Sequence, residues 1–152
     1  MRKERMNDRG FSLVELIIVI AIMAILIVVL APQYLKYVER SRNSTDLQNA
    51  TTMKTAIETY AADPQAATPF TNGDEFSLEV KNTGTSVTGA ASAKAEAALT
   101  DAALVPADIK CSSRTRWSDY TITGEVLPNG AISWTYTSTP ADAFDAAMKG
   151  NS

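Results

Sequence analysis

Hydrophobic and polar positions follow three different rules along this chain. From Phe11 to Ala31 the run FSLVELIIVIAIMAILIVVLA is apolar on every side, with only Ser12 and Glu15 polar. As a helix its twenty-one residues span roughly 32 Å, close to the ~30 Å of a bilayer's hydrocarbon core. Beyond it, Leu47, Ala50, Met53, Ile57 and Tyr60 recur every three or four residues, which predicts one apolar helical stripe ending at Asp63-Pro64. The simplest object is a single helix from about Ser12 to Ala62, ~75 Å long at 1.5 Å per residue. Pro32 stands inside it, where it removes a hydrogen bond and crowds the preceding turn, so a kink is expected there.

After Gly73 the period shortens to two. Phe76 to Val80 reads as a short strand, and Lys81 to Gly89 as a polar connection. Ala91 to Leu104 is Ala-rich and reads as a helix ended by Pro106. Tyr120–Leu127 and Ala131–Thr137 flank Pro128-Asn129-Gly130 and predict a β-hairpin. Thr139-Pro140 reads as the cap and first turn of a last helix, Ala141 to Met148. One long helix whose C-terminal half packs on a small antiparallel sheet makes an α+β fold. The expected organisation is a leader at 1–10, a membrane-length helix at 11–31, its amphipathic continuation at 32–62 and a globular part at 63–152.

Charge and composition narrow the chemistry. The net charge is −3, while the ten residues before Phe11 carry Arg2, Lys3, Arg5 and Arg9 against Glu4 and Asp8. That basic flank orients the N-terminus to the cytoplasm and the rest outward. The clusters Lys36, Arg40, Arg42 and Lys110, Arg114, Arg116 are sparse for phosphate-backbone binding and read as solvated surface, so no specific nucleic-acid partner is expected. With no histidine and one cysteine, Cys111, the chain lacks His-based acid–base catalysis and an internal disulfide. Neither an enzyme nor a cofactor is indicated. Cys111 reads as a small buried apolar residue, with an intermolecular bridge or a lipid attachment as the other readings. Asn72, Asp74 and Glu75 offer oxygens to Ca²⁺ but read as a solvated turn, so no metal is expected. Trp117, Tyr120, Trp134 and Tyr136 read as core and cross-strand packing.

Glu15 is the anomaly. A carboxylate in an apolar helix costs about 2.5–3.5 kcal/mol at mid-bilayer, less near the interface, and an anchor would gain from Leu in its place. Signal-peptide cleavage after Ala31 would leave Pro32 beyond the scissile bond, a poor substrate.

The segment Arg9-Gly10-Phe11-Ser12-Leu13-Val14-Glu15-Leu16, with its basic leader and apolar run, resembles the class III signal of type IV pilins and pseudopilins. The resemblance implies cleavage between Gly10 and Phe11 by a prepilin peptidase that also N-methylates Phe11. It implies that Glu15 pairs with the Phe11 amine of a neighbouring subunit as the helices polymerise. It further implies local melting of the helix near Pro32, although Ala24 stands where some relatives have Gly. The function implied is a major pilin: a single-pass precursor in the cytoplasmic membrane, handled by a pilus assembly platform and then built into an extracellular homopolymer for adhesion, motility or DNA uptake. Two other readings stand beside it, a pseudopilin of type II secretion or competence, and an anchored binding protein that never polymerises.

Overall fold

The computed structural model describes residues 10–150, so most of the basic leader lies outside the described residues. Contacts divide the chain into two compact units between Val38 and Glu39. Helix α1, Leu13–Ala62, begins in the first and ends in the second, and it is helical through Pro32. The membrane-like first half is described with the functional site below.

In the second unit, strands β1 (Glu75–Lys81), β2 (Gly84–Thr88), β3 (Asp119–Val126) and β4 (Ile132–Thr139) form one antiparallel sheet in the order β2-β1-β3-β4. Helix α2 (Ser92–Asp101) follows β2, a 3-10 turn spans Pro106–Asp108, and helix α3 (Ala143–Met148) closes the chain. The expected α+β class, long helix and β3–β4 hairpin are all present. The inner face of the sheet carries Phe76, Leu78, Val80, Tyr120 and Ile122, which share one core with Ala50, Met53, Ile57 and Tyr60 of α1. Alternate positions on each strand reach that core, as a half-buried sheet requires. Gly124 keeps room for an aromatic ring: a Cβ there would lie 2.4 Å from Cζ of Phe76.

Two expectations need correction. The polar connection at 81–89 contains strand β2, joined to β1 through Asn82 and Thr83. Its residues Gly, Thr, Ser, Val and Thr hold one large apolar side chain, because an edge strand with little to bury leaves almost no hydrophobic signature. Secondly, Thr139 is the last residue of β4 and does not cap the final helix, which begins at Ala143. Ser138 does that work: its Oγ accepts from the Phe144 N–H at 3.1 Å and donates to the Pro140 carbonyl at 2.7 Å. The apolar stripe on α1 from Leu47 to Tyr60 packs on the core as expected, and the buried face also takes in Asp46, a residue the apolar pattern did not include. Asp46, Ala50, Met53, Ile57 and Tyr60 are spaced four, three, four and three, one continuous helical face.

Asp46 is wholly buried, and its neighbours explain how a carboxylate is tolerated there. Oδ1 accepts from Ser112 N–H at 2.7 Å. Oδ2 accepts from Ser113 N–H at 2.9 Å, from Trp117 Nε1 at 2.8 Å and from Cys111 Sγ at 3.5 Å. The Asp46 carbonyl accepts from the Tyr120 hydroxyl. Two turns earlier on the same face, Glu39 Oε1 accepts from Ser113 Oγ, Arg114 N–H and Thr115 N–H, all between 2.8 and 2.9 Å. Two carboxylates seven residues apart thus hold the loop from Cys111 to Trp117 against α1. The loop has no regular structure of its own, and these bonds replace the ladder it lacks.

The aromatic residues pack as the sequence suggests. Tyr120 stacks on Phe144 at 4.1 Å, and Trp117 meets the same ring edge-on at 5.2 Å. Cys111 is buried; burial first, then the Asp46 charge, pushes its thiol up to about 12, so it stays protonated and unreactive in the folded chain.

Asp46→Asn places an amide NH₂ among donors and should destabilise the fold by about 2–4 kcal/mol, read by urea unfolding. For Glu39, burial raises the pKa, but hydrogen bonds from Arg114, Thr115 and Ser113 outweigh it and lower the value from 4.5 to about 2. Its stabilisation is therefore complete above pH 4.5 and lost as pH falls through about 2. The stability gap between the parent chain and Glu39→Gln should be largest near neutrality and shrink across that window.

Candidate functional site: the N-terminal apolar helix

Helix α1 starts with a reciprocal pair of side-chain bonds. Ser12 is the N-cap: its Oγ accepts from Val14 N–H at 3.3 Å, while Glu15 Oε2 accepts from the Ser12 N–H at 2.8 Å. This is a capping box, Ser-x-x-Glu, and it satisfies donors that a helix start otherwise leaves open. The spacing was readable in the sequence, and it gives Glu15 a partner inside its own chain. A carboxylate in the first turn also meets the favourable end of the helix dipole. The anomaly of Glu15 is thereby reduced.

Gly10 and Phe11 precede the helix and are not helical. Phe11 is 90% exposed. A Cβ at Gly10 would meet nothing within 4 Å, so the fold itself does not call for glycine at this position. Any demand for a missing side chain there must come from another molecule.

The large apolar side chains from Leu13 to Leu30 are each between 51% and 74% exposed, on all faces of the helix. By length and composition this segment can cross a membrane, and none of its most apolar window is buried within the chain. At about 25 cal/mol per Å² of apolar surface, water is a prohibitive environment for it. Tyr34, Leu35 and Tyr37 extend the exposed apolar surface past Pro32. The segment must be covered by lipid or by other apolar helices.

The oxygen-bearing turn at Asn72, Asp74 and Glu75, read from the sequence as solvated, lies outside this segment. Of the calcium trio, Asp74 is engaged by Lys94 Nζ at 2.6 Å and by the Thr71 N–H, an arrangement that keeps its carboxyl below the ordinary range despite some burial. No group of three or more His, Cys, Asp or Glu side chains suited to a metal occurs among the described residues.

Comparison with known proteins turns on the same segment first. Residues 5–31 match the family model of the prokaryotic N-terminal methylation motif. Type IV major fimbrial protein FimA of Dichelobacter nodosus is 43% identical over 60 residues, 40% of this chain and 38% of that protein. The chain thus aligns with less than half the length of these FimA relatives. Type IV major pilin protein PilA of Myxococcus xanthus is 30% identical over 149 residues, covering 90% of this chain and 68% of that protein. The chain belongs to the type IV pilin family. Prepilin peptidase-dependent protein A of Clostridium perfringens is 32% identical to this pilin over 69 residues, 45% of this chain and 49% of that protein. No solved structure matches the pilin significantly. Its long N-terminal helix and four-stranded antiparallel sheet agree with the fold of the family.

Proposed function

We propose that this pilin is the major structural subunit of a type IV pilus. The observation that carries the reading is the apolar helix from Leu13 to Leu30, exposed on every face, in a chain related to a major pilin over 149 residues. In the precursor that helix spans the cytoplasmic membrane with the basic leader inside. Prepilin peptidase cuts between Gly10 and Phe11 and methylates the new Phe11 amine, which keeps its charge. The non-helical Gly10-Phe11 bond and the open space at Gly10 suit a protease that must approach the backbone closely. The assembly platform then transfers the subunit from lipid to a growing fibre, where neighbouring helices replace the acyl chains around residues 11–31.

Glu15 gains a partner in this transfer. In the single chain its carboxylate accepts from the Ser12 N–H; in the fibre it also meets the Phe11 ammonium of a neighbour. Either charge alone in an apolar fibre is costly, and pairing offsets the penalty. The pair fixes the axial register of one subunit on the next. Pro32 gives the helix a site of weak hydrogen bonding, and local melting there lets subunits adjust as they pack. No enzyme activity is assigned, since the family's named members are structural subunits.

The capping box supplies a discriminating variant. Glu15→Gln keeps a side-chain oxygen able to accept from Ser12 N–H but removes the charge. It should insert in the membrane at the parent level and yield at least about tenfold fewer sheared filaments. Filaments at parental yield from Glu15→Gln would refute the ion-pair pin and leave the cap as the whole role of Glu15.

A further inference from the structure

A cavity of about 500 Å³ lies beside the loop that Glu39 and Asp46 hold. Its lining includes Arg42 from α1, Lys110 and Arg114 from either end of the loop's first stretch, and the polar side chains of Asn82, Ser112 and Ser118. Three lining residues are cationic and none is anionic, in a chain whose net charge is −3.

The nearby carboxylates are already committed. Glu39 Oε1 takes three donors, and Oε2 stands 3.6 Å from Arg42 Nη1, a loose pairing. Both oxygens of Asp46 are saturated by the loop's own N–H groups and by Trp117. Asp119 accepts from Ser118 Oγ. Among the described residues, the Lys110 and Arg114 side chains have no hydrogen-bonding or ion-pair partner. The backbone beneath these cations is fixed at Cys111 by the Lys81 carbonyl, at 112–115 by the two carboxylates and at Ser118 by the Thr139 carbonyl. Rigid backbone presenting unpaired cations around a concavity is a preorganised anion site, because little ordering remains for the ligand to impose.

We propose that this cavity binds a small hydrophilic molecule through a phosphate group, with Arg42, Lys110 and Arg114 on the oxyanion. Guanidinium forks match its oxygens two at a time, and the lysine supplies a compact third charge. The volume exceeds that of one oxyanion and lies in the range of small-molecule sites. Asn82, Ser112 and Ser118 are polar partners suited to hydroxyls, so a sugar phosphate fits the rest of the space. Inorganic phosphate shares the anchoring chemistry and is the other source.

The test is isothermal titration calorimetry on the full chain in detergent micelles at constant ionic strength, with inorganic phosphate, glucose 6-phosphate and glucose as probes. Saturable binding is expected for the phosphate-bearing probes and none for glucose. Lys110→Gln combined with Arg114→Gln should weaken it by about tenfold or more, since both side chains are exposed and leave the core intact. Lys54→Gln combined with Lys149→Gln, which removes the same charge elsewhere, should leave it unchanged. Tighter binding of glucose 6-phosphate than of inorganic phosphate identifies the sugar phosphate as the ligand, and equal binding identifies the free anion. Absence of saturable binding to either, or binding undiminished in the Lys110/Arg114 variant, overturns the proposal.

Discussion

An apolar helical surface with no cover of its own governs this molecule. From Leu13 to Leu30 the side chains face outward on every side, and α1 continues from them through Pro32 into the core of the second unit. Burying that surface in lipid or among like helices is worth far more than the individual polar contacts elsewhere. Lipid and like helices offer almost the same apolar environment, so the proposed transfer of a subunit between them carries a small net cost. What distinguishes the two is the treatment of the few polar groups that travel with the helix. Glu15 is one of those groups, in the first turn of the helix, and under the proposed function the Phe11 amine freed by processing is the other.

The second half of α1 solves a different problem with the same helical periodicity. Its face must hold both a sheet and an irregular loop. Ala50, Met53, Ile57 and Tyr60 bury against the sheet, while Asp46 and Glu39, on the same register, turn to the loop. Backbone N–H groups that would otherwise be stranded near the core find carboxylate acceptors. With one cysteine in the chain, these charge-assisted bonds hold a loop that a disulfide could have held in another protein. The same device leaves Lys110 and Arg114 displayed without acid partners.

The sequence disclosed the parts of the fold that rest on strong periodicity. The long helix, strand β1 and the β3–β4 hairpin all rest on repeating apolar positions or an Asn-Gly turn, and each formed within a few residues of its expected bounds. Strand β2 escaped because an edge strand of Thr, Ser and Gly looks like a loop. The buried role of Asp46 escaped because its partners, Ser112, Ser113 and Trp117, lie more than sixty residues away along the chain. At the N-terminus the Gly10-Phe11 junction and the apolar run carried the family signal. The capping role of Ser12 and Glu15 was present in the same residues, overshadowed by the cost of a carboxylate in a membrane.

Under the proposed function, the chain leaves the membrane as a processed filament subunit. Intact and N-terminal mass spectrometry of material sheared from the cell surface tests it most directly. The expected result is abundant fibre-derived chain beginning at methylated Phe11, with residues 1–10 absent. A chain still beginning at Met1 and found only in membranes would contradict it, and would leave an anchored domain that does not polymerise.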